Sequence, residues 1–222
     1  MPNDALINVN GSNVQTLEIL FLTTLLMLLP SLVVMMTSFT RYVVVFSFLR
    51  TAMGTQQTPP NMVLVGMALI LTLFTMAPAL DQIKTEAYDP YVEEAIGMEE
   101  FFDRAQQPLK DFMVRQAEPS TVELYCNMAR VDLPTDETEL RTLPMRVILP
   151  AFVTSELKAA FMIGFLLYIP FMLIDMVVAS TLMSMGMVML PPSMIATPFK
   201  LLLFILLDGW QLLFSTLIQG IH

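Results

Sequence analysis

Two aspartates stand inside long apolar runs: Asp175 within residues 161–190, and Asp208 within residues 199–221, a run that also holds Lys200. Carboxyl groups in apolar surroundings can share a proton or couple to the movement of one. That opens two chemistries, hydrolysis by a pair of intramembrane aspartates and proton-coupled transport through broken helices. The local sequences Ile174-Asp175-Met176 and Leu207-Asp208-Gly209 lack the Gly-Asp order expected of an intramembrane aspartyl protease. A Ser–His or Cys–His pair is not available either, because the sole histidine is His222, at a position where chains are usually poorly ordered. The sole cysteine, Cys126, excludes an internal disulfide framework and a multi-cysteine metal site. The chain is therefore read as not an enzyme, with no cofactor. A proton-coupled carrier stays as a rival, weakened by the absence of an internal repeat and by the small number of apolar segments.

The remaining charges near apolar sequence are Arg41, Arg50, Glu156 and Lys158. A buried charge costs several kcal/mol unless paired, so these four, with Asp175, Lys200 and Asp208, are expected at a subunit interface or along a water-filled path. Glu156 and Lys158 are two apart and cannot face each other on a helix, so each needs a partner on another helix or subunit. Lys200 and Asp208 would lie about 12 Å apart along a helix axis, too far for direct pairing. Arg41 and Arg50 can position a turn by snorkelling or pair with interface carboxylates.

Methionine is the other conspicuous residue type, with 20 in 222 residues. Met183, Met185, Met187 and Met189 alternate around Gly186 just before Pro191. Unbranched, polarisable side chains repack around irregular surfaces, so a ring of them can seal and yet deform. Spacing alone leaves open the plainer reading, Met standing in for Leu on a lipid-facing or core helix.

The elements that must position these residues divide between two solvents. Hydrophobic residues make up 55% and charged residues only 14%, against roughly a quarter charged in ordinary soluble domains. Residues 81–146 carry fifteen acidic and seven basic side chains, and Asp4 completes the net charge of −9. An acidic balance of this kind argues against nucleic acid as a partner. Four apolar stretches flank the acidic one: residues 17–36, 62–80, 161–190 and 199–221. The second has no charge and at helical rise spans roughly 28 Å, about a bilayer core.

These features give four parts: a polar tail at 1–16, a first apolar helical hairpin at 17–80, an acidic helical extramembrane domain at 81–146, and a second apolar hairpin with a Met-rich loop at 147–222. In the acidic part, Phe101, Phe102, Ala105, Leu109, Phe112 and Met113 recur at helical spacing, in a unit expected to break or restart at Pro108. Residues 121–130 suggest another short helix, with turns at Tyr88-Asp89-Pro90 and Leu133-Pro134-Thr135-Asp136. Pro170 is expected to bend or interrupt the third apolar run, and Pro191-Pro192 and Thr197-Pro198 to separate it from the fourth. Residues 1–15 lack the positive segment of a cleavable signal peptide. Arg41, Arg50 and Lys200 place their turns on the cytoplasmic side and the acidic segment outside, which would give four spans with both termini outside.

Two blocks are more specific than hydrophobicity. One is Met36-Thr37-Ser38-Phe39-Thr40-Arg41 followed by Leu49-Arg50-Thr51-Ala52-Met53-Gly54-Thr55-Gln56-Gln57-Thr58-Pro59-Pro60-Asn61. The other begins Leu149-Pro150-Ala151-Phe152-Val153-Thr154-Ser155-Glu156-Leu157-Lys158 and continues through Pro170-Phe171-Met172-Leu173-Ile174-Asp175, Pro198-Phe199-Lys200 and Asp208-Gly209-Trp210-Gln211. Together they resemble the FliP family of flagellar type III export-gate proteins, whose injectisome relatives are the SctR-type subunits. Ser38-Phe39-Thr40-Arg41 and Gly54-Thr55-Gln56-Gln57 look like the flagellar form. Met162 departs from the polar residue usual at its place, and the chain is short without the leader many flagellar members carry.

The resemblance implies an all-α fold of membrane-associated long helices arranged as hairpins, with the small acidic insert, assembling into a closed ring. The implied function is a channel-forming subunit that passes unfolded flagellar proteins across the bacterial inner membrane, in the flagellar basal body. Implied partners are copies of itself, the Q-type and R-type export-gate subunits, other export-apparatus membrane proteins and unfolded export substrates. The acidic domain would face the periplasm, and Met183, Met185, Met187 and Met189 would form a gasket in the channel. An injectisome export-gate subunit of the same family is the alternative.

Overall fold

In the structure, a computed structural model, residues 34–221 are described except 56, 135–139 and 188, together with residues 7–9, 12–14, 20, 23, 24, 27, 28 and 31. The chain forms two compact units, Met1–Met35 and Met36–His222. The first contains two three-residue antiparallel strands, β1 (Ile7–Val9) and β2 (Ser12–Val14), with Ile7 opposite Val14. Most of the apolar stretch at 17–36 lies outside the described residues, so the expected four spans can be followed only from the second stretch onward.

The second unit is built of helices: α1 (Phe39–Ala52), α2 (Asn61–Ile83), a π-helical turn (Lys84–Tyr88), α3 (Asp89–Val92), α4 (Met98–Gln116), α5 (Pro119–Ala129), α6 (Met145–Ser184), α7 (Pro192–Leu206) and α8 (Gly209–Gln219). Among the described residues two runs are long and apolar enough to cross a membrane, Asn61–Val92 and Met145–Ser184. The α7–α8 pair, bent by 63°, would make a third if it counts as one span.

Several expected breaks are absent. The helical run passes through Tyr88-Asp89-Pro90, where the π-helical turn Lys84–Tyr88 leads directly into α3. The chain turns later, at Glu94, with φ of 57°. Pro108 lies inside α4 and Pro170 inside the unbroken α6. Pro108 is buried, and the apolar contacts of its helix offset one lost backbone bond. The last apolar region restarts at Pro192, so that Pro198 falls in the interior of α7. Its real break is at Leu207–Asp208, where Asp208 takes the left-handed conformation with φ of 46°. Gly209 follows because the Phe204 ring occupies the space a Cβ would need.

Two apolar clusters hold the unit together. On α1, Tyr42, Val45, Phe46 and Leu49 recur at helical spacing and pack with Leu64, Ala68 and Leu71 of α2, Ala160 and Phe171 of α6, and Leu213 and Leu217 of α8. Gly164 lets α6 approach Phe48 of α1, with the ring base 2.6 Å from a would-be Cβ. In the second cluster the apolar face of the acidic insert (Phe112, Met113, Val122, Cys126) covers Val147, Ile148, Ala151 and Phe152 at the start of α6, and Met76 and Ala79 of α2. The insert is thus seated on the long helices.

Candidate functional site: charge pairs and a methionine turn

α1 presents Arg41 to α6, where Glu156 is 1% exposed and the arginine side chain 7%. The guanidinium donates to Glu156 through Nε at 2.8 Å and Nη2 at 2.5 Å, a bidentate fork. Nη1 also donates to the Gly220 carbonyl at 2.7 Å, and Nη2 to Gln116 Oε1 at 3.3 Å. Two residues along α6, Lys158 donates to both carboxylate oxygens of Glu118 at 2.7 Å. That contact, helped by the Ser120 hydroxyl, holds the Glu118 carboxyl below its ordinary range. The backbone N–H of Glu118 in turn donates to Ser155 Oγ at 2.9 Å. Glu156 and Lys158 thus have separate partners, both within this chain.

Lys200 is buried and donates to Asp175 Oδ2 at 2.6 Å and to the Ala52 carbonyl at 3.0 Å. Its partner is therefore one helix back in α6. Asp208 is exposed at the start of α8 with no side-chain cap hydrogen bond. The two aspartates make no hydrogen bond to one another among the described residues. Arg50 donates to Asn61 Oδ1 and, at 3.5 Å, to the Pro59 carbonyl, across the connection from α1 to α2.

Gln116, Glu118, Ser155, Asn61 and Gly220 escape sequence reasoning. Their contacts reach across many residues of sequence, and a main-chain carbonyl carries no residue-type signal. Among the described residues no group of three or more His, Cys, Asp and Glu side chains is placed to hold a metal.

The methionines lie where α6 ends. Gly186, with φ of 74°, receives the chain in the left-handed region, its N–H donating to the Met183 carbonyl at 3.0 Å. The Met187 N–H donates to the Leu182 carbonyl at 3.0 Å, completing a Schellman-type helix end that needs glycine at its centre. Met183, Met185, Met187 and Met189 are all exposed, Met189 at 98%.

The model of the FliP family matches residues 22–217. This chain belongs to the FliP family. The match takes in both motif blocks, the acidic insert between them, the charge pairs and the Met-rich turn. The chain is 48% identical over 205 residues to "Flagellar biosynthetic protein FliP" of Bacillus subtilis (strain 168), covering 92% of this chain and 91% of that protein. It is also 48% identical over 211 residues to the protein of that name from Aquifex aeolicus (strain VF5), covering 95% and 87%. A third, from Pectobacterium carotovorum subsp. carotovorum, is 48% identical over 216 residues, covering 96% and 82%. Membership and the two long apolar helices together make this a flagellar-type family chain with membrane-protein character.

Proposed function

We propose that this chain is a flagellar biosynthesis protein, a channel-forming subunit of the type III export gate that passes unfolded flagellar proteins across the inner membrane. The observation that carries the reading is near-full-length similarity to relatives named flagellar biosynthetic proteins. A second observation agrees with a membrane setting. Only 11% of the most apolar window of α6 and 33% of that of the α2 run are buried within the chain, so these surfaces await lipid or other subunits.

In this reading several copies form a closed ring with Q-type and R-type subunits, beside other membrane proteins of the export apparatus, in the basal body. The acidic insert faces the periplasm. The exposed methionines of the Gly186 turn form the gasket, deforming around a passing chain and closing behind it. The role involves no reaction. Arg41, Arg50, Glu156, Lys158, Asp175, Lys200 and Asp208 act as interface or intramembrane charges with a structural role.

The test is a strain lacking the gene for this subunit, complemented with the intact gene or with Met185, Met187 and Met189 replaced together by alanine. The intact gene should restore secretion of flagellar proteins and swimming. The triple variant should assemble but leave the membrane leaky to ions. No restoration by the intact gene contradicts the export role, and unchanged conductance in the variant contradicts the gasket.

A further inference from the structure

We infer that Arg41 is a positioning residue that sets the orientation of the acidic insert on the apolar helices. Its single guanidinium joins four elements: its own helix α1, Glu156 of α6, the carbonyl of Gly220 at the end of α8, and Gln116, the last residue of α4. These partners lie 115, 179 and 75 residues away in sequence. Planar, fixed donors suit such a junction, whereas a lysine ammonium is a point charge on a flexible stem.

Placement gives the junction its consequence. Gln116 opens the corner between α4 and α5, and Glu118, two residues on, is held by Ser155 and Lys158. Residues 155, 156 and 158 of α6 therefore all serve one corner of the insert, directly or through Arg41. The junction also lies where the two apolar clusters meet, since Ile221 packs against both. Apolar contact between the clusters is non-directional and tolerates sliding. Charge-assisted hydrogen bonds are directional, so they select one seating of the insert from those that burial allows. The Gly220 contact brings α8 into the same decision, with a cation at a helix C-terminus, where the carbonyls need donors.

The test uses the full chain in mild detergent and reads amide hydrogen exchange together with the unfolding midpoint. The first variant is Arg41→Met with Glu156→Met, because an apolar pair often replaces a buried ion pair without loss of stability. The second is Arg41→Lys, which keeps a positive charge opposite Glu156 but cannot reach Gln116 and Gly220 together. Both should exchange about tenfold faster at residues 117–126 and in the last turn of α8, with α2 and the centre of α6 unchanged. Exchange at wild-type rates in those segments overturns the inference. So does a uniform rise across all helices with a lowered midpoint, which would make Arg41 an ordinary stabilising charge. If neither variant accumulates, Gln116→Ala carries the test, since it removes the insert's side of the junction and leaves the Arg41 contacts to Glu156 and Gly220 in place. It should speed exchange at 117–126 and spare α8; no change at 117–126 overturns the inference.

Discussion

Lys200 of α7 donates to Asp175 of α6 at 2.6 Å while the same ammonium holds the Ala52 carbonyl of α1, so one charge ties three helices. The pair is unequal: the lysine side chain is 6% exposed and the aspartate 41%. Removing the aspartate strands an ammonium that the chain encloses almost completely, whereas removing the lysine leaves a carboxylate that the chain encloses far less. Asp175→Asn should therefore cost about 2–3 kcal/mol and Lys200→Met about 1 kcal/mol. Unfolding midpoints of the two variants in the same detergent check the order, and the reverse order contradicts this account of burial.

Gly164 and Gly209 both lie against aromatic rings, but the contacts differ. A Cβ at 164 would meet the root of Phe48, including its Cβ at 2.9 Å, while the nearest atoms to one at 209 are Cε2, Cδ2 and Cζ of the Phe204 ring. Gly164→Ala should cost about 1–3 kcal/mol, with little relief from changing a neighbour. Gly209→Ala should be milder, and Phe204→Leu should restore it. Thermal unfolding of the single and double variants checks both statements.

The Glu118–Lys158 contact predicts a pH dependence at the insert. Because the folded carboxyl is held below its ordinary range by Lys158, its contribution is fully present above the unfolded value, about 4.3. It is lost as pH falls through the lower folded value. Acid should thus loosen residues 117–126 in the intact chain more than in a Lys158→Met variant, where the contact is already gone. Hydrogen exchange compared between about pH 6 and pH 3.5 would show the difference, and equal acid sensitivity would contradict it.

Cys126 supplies a reporter. It is buried in the insert, and burial pushes its thiol above the usual range. Alkylation at neutral pH should be at least about a hundredfold slower than for a free thiol, and should speed up when the insert opens. A rate equal to that of the denatured chain would mean that the insert does not close over the cysteine.

The helices themselves were legible because long uncharged runs leave the backbone few alternatives. Their interruptions were not. Proline read as a turn or break is misleading at Pro90, Pro108 and Pro198, since whether a lost hydrogen bond breaks a helix is settled by the surrounding backbone and packing. The break at Leu207–Asp208 does carry a signal, the Asp208-Gly209 turn dipeptide, set inside an otherwise apolar run. For the charges, the need for partners at Glu156 and Lys158 followed from spacing. Which partners did not, because Arg41 and Glu118 lie 115 and 40 residues away. The functional reading came from ordered motif blocks, which periodicity could not supply.

The most direct test of the central claim is native mass in mild detergent, for the chain alone and co-expressed with the Q-type and R-type subunits. An export-gate subunit should give a discrete multi-copy assembly that gains mass by taking up both partners. A monomer or dimer of the 25.0 kDa chain that recruits neither would contradict it.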